Sequence, residues 1–367
     1  MENSELYYLL ALKKVPNVGD KNAKELIAYC GSAEQIFKMS KPKLEKIPSV
    51  GPVIAQAIKQ FKQFDIAENE LEFMQKNNIQ IIPYSSEKYP YRLKSCDDSP
   101  IFIFTKGITD LNNSKIISVV GTRNSTSYGR DFCLELMSAL KNTNALVVSG
   151  LAMGIDTFAH KEALNYGLPT AAVLAHGLHT IAPPSNYNLS QQIIENGALL
   201  TEHFSIDHPL AENFPKRNRI VAGICDALVI VESGIKGGAM ITADLAWSYD
   251  REVFALPGKI TDTYSQGCIK LINNNRAICI QNAHSLVKYL GWETKVNNAT
   301  KIENENKIPL TADEKTIFKL LREKEKQIDD LHFESGMPLS MISMLLLNLE
   351  FKNLVVSKPG KIYKLKN

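Results

Sequence analysis

The chain has 367 residues, 44% of them hydrophobic and 22% charged, with a formal net charge of +3. That is an ordinary globular composition, long enough for two or three domains with real cores, and it excludes a disordered chain. A total charge so near zero leaves nucleic acid open as a partner, because a local stripe of cations matters more than the sum.

Six cysteines (Cys30, Cys96, Cys133, Cys225, Cys268 and Cys279) show no CxxC and no finger-like pairing with histidine, so they read as reduced packing residues. The N-terminus, MENSELYYLLALKKVP, lacks the basic start and small-residue cleavage site of a signal peptide, and no apolar run approaches membrane-spanning length. The expectation is a cytoplasmic protein without a membrane partner.

In chain order, residues 1–66 read as helices only. They hold a weak internal repeat, VPNVGDKNAKELIAY at Val15 to Tyr29 and IPSVGPVIAQAIKQF at Ile47 to Phe61. Both have the apolar-Pro-x-Val-Gly turn of a helix-hairpin-helix (SAM-like) domain. Such a turn exposes backbone N–H groups at a helix start, which suits phosphate, or else its glycine merely permits close packing. From about Ala67, NNIQIIPYSSEKYPYRL and SPIFIFTKG look like short strands added to a following sheet. From Lys115, apolar strands (IISVV, ALVVSG, PTAAVLAHG, ALLTEHF, DALVIVE, EVFALPG) alternate with helices. That rhythm predicts an α/β fold, an extended Rossmann-like doubly wound sheet over 67–292, with ligands beyond the C-terminal strand ends. Residues 293–308 are polar and Asn-rich and read as a linker. Residues 309–367 open on a Thr311-x-x-Glu314 capping box and read as a winged helix of three helices and a hairpin. Its third helix, Leu339 to Leu349, carries no Lys or Arg, so it lacks the donors a groove-reading helix needs. Lysines gather instead on the hairpin, at Lys352, Lys358, Lys361, Lys364 and Lys366.

The stretch that organises the chain is Phe214 to Ala243, FPKRNRIVAGICDALVIVESGIKGGAMITA. Lys216, Arg217 and Arg219 follow a proline expected to hold the backbone extended, and Asn218 lies among them. The DALVIVE strand then turns through Gly237-Gly238 into a helix that includes Thr242. Glycines that admit backbone N–H groups, a helix N-terminus and nearby cations make an anion site. Cations beside the aromatic Phe214 suit a strand with phosphates to neutralise and bases to stack. A second turn, Gly121-Thr122-Arg123, places an arginine fork on the binding side of the sheet. A third, Ser149-Gly150 to Gly154-Ile-Asp156 with His160 one turn on, reads either as an acid–base pair or as a helix N-cap plus a buried histidine. His176 and His179 have no Cys, Asp or Glu companions in sequence, so no metal is expected. Neither GxxxxGK[ST] nor GxGxxG occurs, and no nucleotide cofactor is implied.

The ordered set KYPYRL with DDSPIFIFTKG, VVGTR, SGLAMGIDTFAH, FPKRNRIVAG, VIVESGIKGGAMITA and FALPG resembles the bacterial DNA processing protein A (DprA/Smf) family over nearly the whole chain. The resemblance implies single-stranded DNA bound by the Rossmann-like domain, a homodimer through that domain, and loading of the RecA recombinase in natural transformation. By the same match, Arg123 and the FPKRNR cations would hold the DNA backbone, and the glycine turns would shape the pocket. Two departures stand out: His179 and Ile181-Ala182-Pro183 stand where the family commonly has an acidic residue and Ile-Tyr-Pro, and Gly267-Cys268-Ile269 replaces Gly-x-Asn. The rival is a nucleotide-cleaving hydrolase of the related lysine-decarboxylase-like group. Against it, Leu245 stands three residues after Thr242, where those enzymes carry a glutamate.

Overall fold

The computed structural model describes residues 3–293, 311–323, 325–352, 354–358 and 362–365. All but Glu293 of the expected linker falls outside them, as do Lys361, Lys366 and the side chain of Lys358. The chain divides into two compact units, Met1–Thr294 and Lys295–Asn367.

The first unit opens with six helices: α1 (Asn3–Lys14), α2 (Asp20–Cys30), α3 (Ala33–Lys38), α4 (Lys41–Leu44), α5 (Pro52–Gln60) and α6 (Asp65–Lys76). The sequence repeat is also a structural one. In each copy the residue after proline, Asn17 or Ser49, takes a positive φ of 66° or 67°. Gly19 and Gly51 cap the next helix in extended conformation, without a side-chain cap. The glycines therefore serve the expected open helix start, while the left-handed backbone falls on Asn17 and Ser49. The helical core continues into Phe102, Phe104 and Phe204, so these helices pack on one edge of the sheet.

The sheet comprises β1 (Gln80–Pro83), β2 (Phe102–Gly107), β3 (Ile116–Val120), β4 (Leu146–Ser149), β5 (Thr170–Val173), β6 (Gly197–Thr201), β7 (Ala227–Ile230), β8 (Glu252–Ala255) and β9 (Ile278–Cys279). Their order is β1-β2-β6-β5-β4-β3-β7-β8-β9. β6 to β9 in that order run parallel, and β1 and β2 extend the sheet antiparallel. The helices between strands are α7 (Tyr91–Lys94), α8 (Ser127–Leu140), α9 (Ile155–Asn165), α10 (Tyr187–Asn196), α11 (Asn213–Gly223), α12 (Gly238–Ser248) and α13 (Gln266–Asn273), and α14 (Ala283–Tyr289) follows the last strand. Alternation along β3 explains its unbroken apolar sequence. Ile116 and Val120 join the core under α11 and α12, whereas Ile117 and Val119 join the core under α8 and α9. Both faces are covered, so no position is left for a surface polar residue. The one hydroxyl there, Ser118, is buried and donates to Val221 O at 2.7 Å.

The second unit packs α15 (Ala312–Glu323), α16 (Ile328–Ser335) and α17 (Leu339–Phe351) with β10 (Lys326–Gln327), β11 (Val355–Lys358) and β12 (Ile362–Leu365), the last two forming the hairpin. The capping box forms as read: Glu314 accepts from Thr311 N at 2.8 Å and donates its own N–H to Thr311 Oγ1 at 3.2 Å. Lys352 does not stand free on the hairpin, since it donates to Glu314 at 2.8 Å. On α17 the exposed apolar residues include Met344, Leu347 and Phe351.

Helices and sheet in the first unit are joined by ions. Arg219 donates to Glu202 at 2.7 and 2.6 Å and to Asp20 at 3.1 Å, while Lys13 donates to Asp20 at 2.6 Å and to Glu202 at 3.1 Å. Burial pushes the Glu202 carboxyl up, but Lys13 and Arg219 outweigh it and bring it from 4.5 down to about 2. Arg219 thus clamps the N-terminal helices to the sheet within the first unit, which differs from its expected place in a DNA-facing stripe. Arg219→Ala leaves Lys13 as the one cation on Asp20 and Glu202 and should cost about 1.5–3 kcal/mol, read as a lower urea midpoint at pH 7. Because the folded pKa is depressed, this stability is present above 4.5 and is lost as the pH falls towards 2. The variant should therefore show a shallower acid dependence across that window than the parent protein.

Candidate nucleic-acid interface

Strand order reverses at β3: the chain winds through β4, β5 and β6 on one side, then returns to β7 on the other. Loops leaving β3, β4 and β7 diverge there and open a crevice at the carboxyl ends of the strands. The crevice is a cavity of ≈ 530 Å³, lined among others by Gly121, Arg123, Gly150, Asp156, Phe214, Arg217, Asn218, Gly237, Gly238 and Thr242. Ten of the residues singled out in the sequence thus meet at one place. Ser149, Gly154 and His160 support it from behind, and Lys216 and Arg219 belong elsewhere.

FPKRNR is helical, not extended. Pro215 occupies the first turn of α11, where its missing N–H costs nothing. Helical geometry then sends the three cations in different directions. Arg217 is 4% exposed and donates through Nη1 to Gly150 O at 2.6 Å and to Val173 O, and through Nε to Asn218 Oδ1 at 3.2 Å. Lys216 is exposed, lies 3.5 Å from Glu212 and lines a separate depression of ≈ 350 Å³ with Lys13, Lys14 and Asp207. A single extended cation stripe is therefore replaced by one floor residue, one surface lysine and one clamp.

Arg123 stands exposed on the rim with its guanidinium 5.3 Å from the ring centroid of Phe214. Among the described residues it makes no ion pair, so its charge is available to an anion. On the same cavity, α12 starts after its N-cap Gly237 without a side-chain cap, so its first turn brings partial positive charge to the lining. Thr242 is buried, its hydroxyl donating to Gly238 O at 3.4 Å, and so supports that turn from within. Lys236 is exposed in the same loop, one residue before Gly237.

The Ser149–His160 turn is a brace. Gly154, with φ +81°, is the N-cap of α9 in place of the expected Asp156, and a Cβ there would strike Thr122 O. Gly150 has no room for a side chain because the Arg217 guanidinium lies against it. Ser149 donates to Val119 O at 2.6 Å. Asp156 is buried and accepts from Ala152 N at 3.3 Å; burial raises its pKa against the pull of Arg217 and nearby amides. His160 is fully buried, with Nδ1 2.7 Å from Thr170 Oγ1, and burial brings its pKa down to about 3. Thr170 gives its own proton to Val147 O, so His160 Nδ1 is the donor and the ring is neutral. The residue packs as a buried histidine, as in the second of the two readings, whereas the N-cap of that reading falls to Gly154 and not to Asp156.

Sequence reasoning missed Glu232 and Tyr264. Glu232, buried at the end of β7, accepts from Thr126 N at 3.0 Å and Thr126 Oγ1 at 2.5 Å, and its carbonyl accepts from Thr122 N at 2.7 Å. It therefore holds the Arg123 loop in place. The only sequence signal was a lone acidic residue closing an apolar strand. Tyr264 brings an aromatic rim from a distant loop and accepts from Asn124 Nδ2 at 3.0 Å. Leu245, where the rival hydrolase reading required a carboxylate, packs against the core. No cluster of three or more His, Cys, Asp or Glu among the described residues could hold a metal, and no described helix is long and apolar enough to cross a membrane.

Residues 80–291 match the family model for DNA recombination-mediator protein A. The chain belongs to that family. Residues 9–70 match a helix-hairpin-helix motif and 303–361 the DprA winged helix domain. Protein Smf of Synechocystis is 30% identical over 99% of this chain and 100% of its own length. DNA processing protein DprA of Bacillus subtilis is 40% identical over 53% of this chain and 66% of its own. The X-ray structure of DNA processing protein A from Streptococcus pneumoniae superposes with a TM-score of 0.67 at 28% identity, covering 77% of this chain and 96% of that one. A structure of the Helicobacter pylori protein, titled for its single-stranded DNA binding mode, gives 0.53 at 28% identity over 58% and 95%.

Gly150 offers a direct check on this architecture. Gly150→Ala must displace the Arg217 guanidinium and should destabilise the fold by about 1–3 kcal/mol in urea unfolding. Gly238→Ala, with open space around it, should change stability by less than about 0.5 kcal/mol.

Proposed function

We propose that this protein is a single-stranded DNA-binding recombination mediator, with the strand passing over the cavity at the β3 switch point. The observation that carries this reading is the rim: an unpaired Arg123 stacked near Phe214, on the same cavity as the uncapped start of α12. Charge and stacking face together, which suits a polymer of phosphates and bases. The Helicobacter pylori relative, whose structure is titled for single-stranded DNA binding, supports the same assignment. Loading of RecA during natural transformation, and a homodimer through the Rossmann-like domain, belong to the proposal because the family resemblance implies them. The rim favours a binder over the nucleotide-cleaving hydrolase, since Leu245 supplies no carboxylate beside the glycine turn.

Salt-titrated binding to oligo-dT tests the reading. Arg123→Ala should lessen the log–log salt slope by about 0.7 for the one phosphate it neutralises. Phe214→Ala should cost about 1–3 kcal/mol with little change in slope. Lys216→Ala should change the slope less than Arg123→Ala, because Lys216 lies outside the cavity and beside Glu212. An unchanged slope in Arg123→Ala would overturn the rim assignment. RecA-dependent strand pairing with the wild-type and Arg123→Ala proteins extends the test to loading. Sedimentation of the full chain, giving either a dimer or only a monomer, tests the homodimer.

A further inference from the structure

The N-terminal helices hold a groove that shares no lining residue with the switch-point cavity. It is a depression of ≈ 900 Å³ between the first hairpin turn, at Pro16 and Asn17, and the outer side of α5. Two rows of side chains run along it. Val53 and Ala57 on α5, with Phe61 at its C-cap, recur every four residues as an apolar row, and Gln56 and Gln60 form an amide row beside it. Val53 is 68% exposed. An exposed valine neither packs nor favours a helix, so the folding of α5 gives no reason for it.

Charge around the groove is one-sided. From Lys38 to Gln63 the chain carries six lysines against one carboxylate, Glu45, a surplus of five in a chain whose total is +3. Lys38 is paired with Glu34, Lys59 donates to Phe37 O, and Lys41 lies 3.7 Å from Glu45. Lys62 is exposed and makes no ion pair among the described residues. Lys41 and Lys62 both line the groove, and no carboxylate lines it. The occupant is therefore acidic, and the apolar row restricts its kind. Pro52, at the first position of α5, has no N–H to give to a phosphate. Phosphate oxygens laid on Val53 and Phe61 would lose water without gaining a partner. An acidic peptide meets every feature. Its carboxylates pair with Lys41 and Lys62, and an apolar side chain covers Val53 and Phe61. Its backbone pairs with the glutamine amides, which both donate and accept.

We propose that this groove docks a short acidic segment of a partner protein, one that carries a large apolar side chain among its carboxylates. Because the groove is separate from the switch-point cavity, a partner held there leaves that cavity open.

Fluorescence anisotropy on the full-chain protein tests this, with a labelled synthetic peptide of alternating glutamate and leucine as the probe. The same peptide with serine in place of leucine should bind about tenfold more weakly, since it keeps the charge and loses the apolar contact. Lys62→Glu and Val53→Ser should each weaken the leucine peptide by about tenfold. Both residues are exposed, so the variants should keep the urea midpoint of the parent protein. No binding of the leucine peptide, equal binding of the leucine and serine peptides, or full binding by Lys62→Glu would each overturn the site. A duplex oligonucleotide that displaces the peptide from the wild-type protein, and whose own binding falls in Lys62→Glu, would assign the groove to nucleic acid and overturn the peptide.

Discussion

The buried guanidinium of Arg217 is the constraint on which the rest of the site depends. A cation this deep is tolerable only if its hydrogen bonds are met and an opposite charge lies near. Those conditions position three separate segments. Gly150 at the end of β4 must lack a side chain, Val173 at the end of β5 must turn its carbonyl inward, and Asp156 on α9 must stay within electrostatic range. Since Arg217 sits on α11, the same contacts fix that helix across the strand ends. Phe214, on the preceding turn, is thereby carried to the rim and meets Arg123. One residue thus couples the floor, the brace and the rim.

A second ionic assembly does a different job with similar residues. Lys13, Asp20, Glu202 and Arg219 lie where the N-terminal helices meet the sheet, and each carboxylate there touches both cations. A buried network of this kind adds little net stability over apolar packing, but it is strongly directional. The aromatic contact of Phe102, Phe104 and Phe204 supplies the non-directional burial beside it. Apolar area holds the helices on, and the ions determine their orientation.

Legibility in the sequence followed the period of the physics. The strands read clearly because both faces of β3, β4, β5 and β7 are buried, which favours apolar residues throughout and admits only hydroxyls that bond to backbone, such as Ser118, Ser149 and Thr170. Most of the glycine turns read clearly too, since close approach at Gly121, Gly150 and Gly154 leaves no room for a side chain. What failed was the direction of the cations. FPKRNR looks like one basic stripe when written on a line, but on a helix residues 216, 217 and 219 point about 100° and 200° apart. Which of them faces the sheet depends on where Gly150 and Glu202 lie, more than ten residues away in sequence. Asp156 was misassigned as an N-cap for a related reason. The chain starts α9 two residues earlier, on a glycine whose φ of +81° nothing in the local pattern announces. Tyr264 gave no signal at all, because its place on the rim is made by a loop that returns from beyond β8.

The same geometry limits what electrostatics alone can contribute. Of the residues lining the cavity, Arg123 and Arg217 carry positive charge and Asp156 carries negative charge, so the formal surplus is a single charge. The start of α12 adds about half a charge more. A cavity of this kind neutralises one or two phosphates, far fewer than a basic channel would. In the proposed role its hold on a strand would draw heavily on the aromatic rim, a contact that salt screens only weakly. The small net charge of the whole chain agrees with that division. In that role attraction to phosphate would locate the strand, and stacking on the rim would set how long it stays.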